Sequence, residues 1–326
     1  MTGPKIFGFI FLIQQIFFFN FGKMYFDFSF LFNELLHILL ILLLSIGPLC
    51  FYFLLAIFSH KFLKKSFSTQ INSKTEQKFD KKELLNAYLI FKSTNNWQNN
   101  KRIEDALNLA LQDNSEIFFR MNLKECPIWK ENELPDEFIE NVKILEKNYK
   151  MIVKEMEKAF KSGHLWIKNE NIHTKTSWFT YFLIKDGNWQ KECCNECPEL
   201  VKLLKEFDED YLLNNCSFGN VNFSMLPANS AIPEHIGTTN VRLRVHFGLE
   251  IPCGIGKENC FMKVGNEKFH WTAGKSTIIN TSFFHSVSSV GCSEDRIVLI
   301  IDFWHPELTK EERGILKNIF PPKSIS

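Results

Sequence analysis

The chain has almost no net charge: 38 Lys and Arg stand against 37 Asp and Glu, a formal +1 over 326 residues. This leaves no electrostatic footprint for a nucleic acid, and no basic stripe along the chain restores one. The signatures of several enzyme classes are missing as well. There is no Gly-x-Ser-x-Gly elbow for a serine nucleophile, no Walker loop for a nucleoside triphosphate and no Rossmann fingerprint. No internal repeat recurs, which excludes a solenoid or a long tetratricopeptide-like array. Histidines are few, nine in all, so each can be weighed singly.

Charge is absent altogether from residues 38–58. That run is about as long as the ~20 residues that cross a bilayer core, and a membrane helix tolerates its Gly47 and Pro48. It is expected to be a single transmembrane helix. In the N-terminal segment 1–37, residues 6–19 form a shorter candidate apolar segment interrupted by Gln14 and Gln15. Residues 59–80 read as a polar linker. Lys61, Lys64 and Lys65 lie just after the span, whereas Lys23 before it is offset by Asp27 and Glu34. The positive-inside rule therefore places the C-terminal part of the chain in the cytosol. Cysteine usage points the other way. The cluster Cys193, Cys194, Cys197 and the pair Cys253, Cys260 suit an oxidising lumen, as do sequons at Asn215, Asn222 and Asn280.

Beyond the linker the pattern is helical at 82–91 and 103–111, and most clearly at 136–160. There Phe138, Val142, Leu145, Tyr149, Ile152, Met156 and Phe160 recur at spacings of three and four, one apolar stripe. From about residue 176 the period becomes two. Runs at 178–184, 221–226, 241–251, 261–264, 276–280 and 296–304 are separated by Gly, Asn, Pro and Ser. Helices first and strands afterwards predict a mainly β fold, a sandwich or barrel flanked by α-helices.

The run 241–249 carries the most chemistry. Val241, Leu243, Val245, Phe247 and Leu249 share one strand face, and Arg242, Arg244 and His246 share the other. Two guanidiniums and an imidazole on one face are either a solvated surface or, inside a barrel mouth, an anion site, because arginine offers carboxylate a planar fork. His235 lies just before this strand and His285 just after a later β-run. Two imidazoles from separate strands can hold a transition metal if the fold brings them together. A lone Cys-x-x-Cys at 194–197 supplies too few ligands for zinc.

The blocks come in a fixed order: Ser224-Met-Leu; His235-x-Gly-x-Thr-Asn-x-Arg-Leu-Arg-x-His-x-Gly-Leu249; Trp271-x-x-Gly-Lys; Ser-Phe-x-His285; and Asp302-Phe-Trp-His-Pro-Glu-Leu308. This succession resembles the catalytic domain of the aspartyl/asparaginyl β-hydroxylases, from about residue 127 to 320, behind a helical region at 81–126. The resemblance implies a double-stranded β-helix, a cupin-like jelly roll. It further implies an Fe(II)- and 2-oxoglutarate-dependent dioxygenase that uses O2 to hydroxylate an aspartate or asparagine side chain of a protein substrate. By the same resemblance the enzyme is membrane-anchored in the endoplasmic reticulum with a lumenal catalytic domain.

Position by position, the resemblance makes His235 and His285 the iron ligands. It gives Arg244 and His246 to the 2-oxoglutarate carboxylate beside the metal, and Ser224 and Arg296 to the distal carboxylate. Trp178 and Arg242 fall near the substrate. Most non-haem iron sites add a carboxylate to two histidines, but Gly237 stands at that position, as it does in the family. The chain departs from the family pattern at two places. Val201 stands where one cysteine of a disulfide-closed loop is expected, so that Cys197 would have to pair with Cys194 or Cys193, and Thr238 replaces a proline. Read from the residues alone, Arg296 has a plainer use, an ion pair with Asp302 or Glu294, and Trp178 is equally suited to core packing. Two rival functions remain: hydroxylation of a lipid acyl chain by the same chemistry, and a cupin-like binding module without turnover.

Overall fold

A computed structural model describes residues 81–94, 97, 100–112, 118–170, 176–207 and 211–322. The apolar runs 6–19 and 38–58 lie outside the described residues. Among the described residues no helix is long and apolar enough to cross a membrane.

Strict alternation builds the central sheet. In β12 (Arg296–Trp304), Ile297, Leu299, Ile301 and Phe303 point to one side, and Arg296, Val298, Ile300 and Asp302 to the other. In β7 (Arg242–Glu250) the leucines, valine and phenylalanine take the first side, and Arg242, Arg244 and His246 the second. β5 (Val221–Leu226) obeys the same rule, and β3 (Ser177–Lys185) does so as far as an irregularity between Phe182 and Ile184. With β1 (Ile128–Trp129), β2 (Ile167–Glu170), β4 (Asn188–Trp189) and β10 (Ser276–Ile279) they form an eight-stranded antiparallel sheet. Its order is β1-β10-β7-β12-β5-β3-β2, and β4 pairs with β3. A second sheet, β6 (Ala231–His235), β11 (His285–Ser288), β8 (Phe261–Val264) and β9 (Glu267–Phe269), faces it. Met262, Val264 and Val287 from the small sheet pack against Leu226, Ile279 and Val298 from the large one. Two facing antiparallel sheets joined by crossovers are a jelly roll, as expected.

The apolar back of the large sheet is covered by helices α3 (Asp136–Lys147), α4 (Tyr149–Lys161), α5 (Lys191–Glu196) and α6 (Pro198–Glu206). Each Leu, Ile or Phe fully buried there contributes about 1.5–3 kcal/mol. A one-residue register slip would bury the arginines under the helices instead, so the register is strongly fixed. The single helix expected at 136–160 is two helices, because the backbone leaves the helical basin at Asn148, where φ is −102° and ψ 14°. The Asn148 side chain donates to the Ile144 carbonyl at 2.9 Å and closes the first helix. The apolar stripe continues across the break as far as Met156, while Phe160 is 38% exposed and stacks on Trp166. Two further helices, α1 (Lys81–Ser93) and α2 (Lys101–Gln112), share a core with Val241, Trp304 and the C-terminal α7 (Lys310–Ile319). Arg102 of α2 grips Glu312 of α7 with two hydrogen bonds, at 2.8 and 2.7 Å.

The cysteine expectation is corrected. All eight described cysteines are free thiols. Cys194 Sγ is directed to the Leu183 carbonyl and Cys197 Sγ to that of Glu155, so the cluster points in different directions. Cys253 is exposed whereas Cys260 is buried. Two of the three sequons fall on buried side chains, Asn222 at 5% exposure and Asn280 at 0%; Asn215 is exposed.

Candidate active site

Between the two sheets lies a cavity of about 800 Å³. Trp178, Ser224, His235, Arg242, Arg244, His246, His285 and Arg296 all line it. The fold thus collects in one place every site residue that the sequence singles out.

The two histidines meet through strand register. β6 and β11 run antiparallel with His235 directly opposite His285, and the ring centroids are 4.1 Å apart. Each ring is held in the same way. Nδ1 lies 2.8 Å from the carbonyl two residues earlier, that of Pro233 for His235 and of Phe283 for His285. A carbonyl only accepts, so each Nδ1 carries a proton, and Nε2 is the ring nitrogen that could ligate a metal. This is the second-sphere support that metal-bound imidazoles have. Gly237 offers no side chain, and its N–H donates to the Thr281 carbonyl at 2.7 Å. Among the described residues no three His, Cys, Asp or Glu converge on one metal position. The candidate donor set is therefore the two imidazoles of His235 and His285.

The floor is the polar face of the large sheet. Asp302, fully buried, sits across from Arg244 in the β7–β12 ladder. Arg244 donates to both its oxygens, Nε at 2.7 Å and Nη2 at 3.0 Å, and Arg242 Nη1 donates to Oδ2 at 3.1 Å. Arg242 also donates to the Phe218 carbonyl. It is 5% exposed, so it is not a solvated surface charge. His246 accepts from the Trp271 indole N–H at 3.4 Å. Burial, reinforced by the Arg296 and Arg244 guanidiniums, drives its pKa well below the ordinary histidine value, so it is neutral.

Arg296 differs from the other two arginines. It is 1% exposed, and its Nε and Nη2 have no hydrogen-bond partner. Neither carboxylate suggested by the sequence reaches it. Asp302 is taken by Arg242 and Arg244, and Glu294 accepts the N–H groups of Cys253 and Gly254 at 2.7 and 3.2 Å. The face of Trp271 lies 4.9 Å from the guanidinium carbon, a favourable cation–π contact. Burial lowers the Arg296 pKa to about 10, which leaves it charged at neutral pH. Trp178 both lines the cavity and packs in the inter-sheet core, so the two readings of it coexist.

Sequence reasoning did not assign Asp302, Trp271 or Asn222 to the site. The first two lie inside the ordered sequence blocks, and strand parity puts Asp302 on the same face as Arg296. Asn222 likewise shares the face of Ser224. His305, inside the closing Trp-His-Pro block, is structural. Its Nε2 donates to the Lys124 carbonyl at 3.0 Å, and its Nδ1 accepts from the Glu307 N–H at 3.2 Å.

Fold and cavity together define a jelly-roll protein with a two-histidine, arginine-lined pocket. The sequence profile of the aspartyl/asparaginyl β-hydroxylase family matches residues 146–306, a stretch that contains all eight site residues. Over those residues the chain is similar to that family. The chain is 34% identical over 215 residues to the human aspartate beta-hydroxylase domain-containing protein 2, covering 64% of this chain and 55% of that protein. It is 35% identical over 201 residues to the mouse aspartyl/asparaginyl beta-hydroxylase, covering 60% of this chain and 26% of that protein. The chain thus spans about half the length of the first relative and a quarter of the second. Among solved structures, a 2OG-Fe(II) oxygenase family oxidoreductase from Burkholderia pseudomallei is similar over 43% of this chain and 73% of its own, at 10% identity and a TM-score of 0.34. The fold assignment rests on the strand order rather than on that likeness.

Proposed function

We propose that the protein is an Fe(II)- and 2-oxoglutarate-dependent dioxygenase that hydroxylates an aspartate or asparagine side chain of a protein substrate. The observation that carries this reading is Arg296. An unpaired, fully buried guanidinium is strongly unfavourable, and a site that keeps one is built for an anion. 2-Oxoglutarate has a carboxylate at each end. In this reading Arg296 and Ser224 hold the distal one, and Arg244 and His246 hold the one next to the metal. The likeness to the family over residues 146–306 and the relatives' names support the reaction class and the acceptor side chain.

His235 and His285 would hold the iron, and their Nδ1 hydrogen bonds fit them for it. When bound, the iron with O2 and 2-oxoglutarate supplies the oxidising power to break an unactivated C–H bond. The chain's own residues do the rest. Asp302 keeps Arg242 and Arg244 extended toward the cavity. Trp271 orients His246 and covers Arg296. Trp178 and Arg242 receive the substrate. In the same reading, residues 38–58 anchor the protein in the membrane of the endoplasmic reticulum with the catalytic domain in the lumen. Anaerobic purification, iron analysis and a succinate-formation assay across aspartate and asparagine peptides test the proposal. A protein that binds no iron and forms no succinate with any acceptor refutes it.

A further inference from the structure

Among the described residues that line the cavity, Asn222 Oδ1 and Thr281 Oγ1 are also buried without a hydrogen-bond partner, and the amide is the one that shares a face with the 2-oxoglutarate residues of the large sheet. Asn222 is 5% exposed, lines the cavity, and its Oδ1 is buried with no hydrogen bond. It lies in one transverse row of the large sheet with Phe182, Ile300 and His246, because Asn222 pairs with Phe182 and Ile300, and Ile300 pairs with His246. Phe182, Ile300 and His246 all line the same cavity. Ser224, two residues along β5, faces the same way. An amide so placed stands beside the proposed path of 2-oxoglutarate and on the side of the β2–β3 rim.

The chemistry of the orphan atom says what it is for. 2-Oxoglutarate presents only acceptor oxygens at neutral pH, so it cannot satisfy a carbonyl oxygen. In the orientation that Asn222 takes here, its partner has to bring a donor. Of the two acceptor side chains, a carboxylate has no donor, whereas a carboxamide has two N–H donors and a carbonyl. An amide facing an amide can satisfy both ends, its N–H donating to Asn222 Oδ1 and its carbonyl accepting from the Asn222 amide.

Resting on the oxygenase reading above, we infer that Asn222 is a specificity-determining residue that recognises the carboxamide of an asparagine acceptor and favours it over aspartate. The test uses the full-length protein, loaded with iron, and two peptides that differ only in carrying asparagine or aspartate at the acceptor position. Succinate formation gives kcat/KM for each, and thermal stabilisation by 2-oxoglutarate is measured in parallel. Wild type is expected to prefer the asparagine peptide at least about tenfold, the scale set by one buried hydrogen bond left unmade. Asn222→Leu, similar in size, is expected to raise KM for that peptide about tenfold and to erase the preference, with stabilisation by 2-oxoglutarate retained. Asn222→Asp keeps the shape and adds a like charge, so it is expected to discriminate still further against the aspartate peptide. Equal use of both peptides by wild type, or a preference that survives in Asn222→Leu, overturns the inference while leaving the oxygenase reading intact. Loss of 2-oxoglutarate stabilisation in a folded Asn222→Leu also overturns it, by making Asn222 a cosubstrate contact. If wild type neither binds 2-oxoglutarate nor forms succinate, the oxygenase reading itself fails and takes this inference with it.

Discussion

Replacing Arg296 by methionine separates its two roles, because methionine fills similar space without the charge. In the ligand-free protein the guanidinium is buried with two nitrogens unpaired. An uncompensated buried charge costs about 3–5 kcal/mol. Arg296→Met removes that charge and should fold at least as stably as wild type. Ligand binding should show the opposite. At a hundred times its Kd, 2-oxoglutarate stabilises the wild type by about 2.7 kcal/mol, or about 5–10 °C in Tm for a domain of this size. Losing two charge-assisted hydrogen bonds, at about 1.5–3 kcal/mol each, weakens binding by about a hundredfold or more. The same concentration then shifts Tm by about 1 °C or less. Arg296→Lys should fall between the two, since lysine keeps the charge and loses the fork. The assay is thermal unfolding of the metal-loaded protein with and without 2-oxoglutarate. A soluble Arg296→Met variant with a wild-type shift would refute the assignment of the distal anion site.

His235→Ala and His285→Ala should each abolish iron retention and succinate formation while leaving the fold, because each removes half of the protein's direct metal contacts; normal iron content in either folded variant overturns the two-histidine site. Gly237→Asp should retain metal more tightly by adding a carboxylate beside the pair, without necessarily raising turnover, and metal release against a chelator measures it. His305 should make the domain acid-sensitive. Burial lowers its pKa below the ordinary value, so the folded state binds fewer protons than the unfolded one. Its contribution is complete above about pH 6.5 and is lost as pH falls toward the depressed folded value. Denaturant midpoints should therefore fall over that window, and His305→Gln, able to donate and accept at the same partners, should flatten the profile; an unchanged slope speaks against it. In sealed microsomes the C-terminal domain should resist protease until detergent is added, and complete digestion without detergent would place it in the cytosol.

Much of this was legible in the chain itself. Strand parity is a local property, so the run 241–249 already had its arginines and histidine on one face, and the runs 221–226, 261–264 and 296–304 coincide with strands of the structure. The helix break at Asn148 was hidden because the apolar stripe passes through it, and periodicity does not register a local change in backbone angle. The short strands β6 and β11 were not read as strands at all. They are few residues long, half polar, and stabilised by one another and by the opposite sheet rather than by their own propensity.

The sequence by itself determined the residue types, the face each occupies and the order of the blocks, since these arise from side-chain chemistry and the period-two backbone. Only the tertiary structure decided who meets whom. It set His235 across from His285 through the β6–β11 register, gave Asp302 to Arg242 and Arg244, and left two nitrogens of Arg296 and the amide oxygen of Asn222 without protein partners at the cavity. Pairing depends on distances between strands far apart in the chain, and on which carboxylate reaches a guanidinium first. No local pattern carries that information.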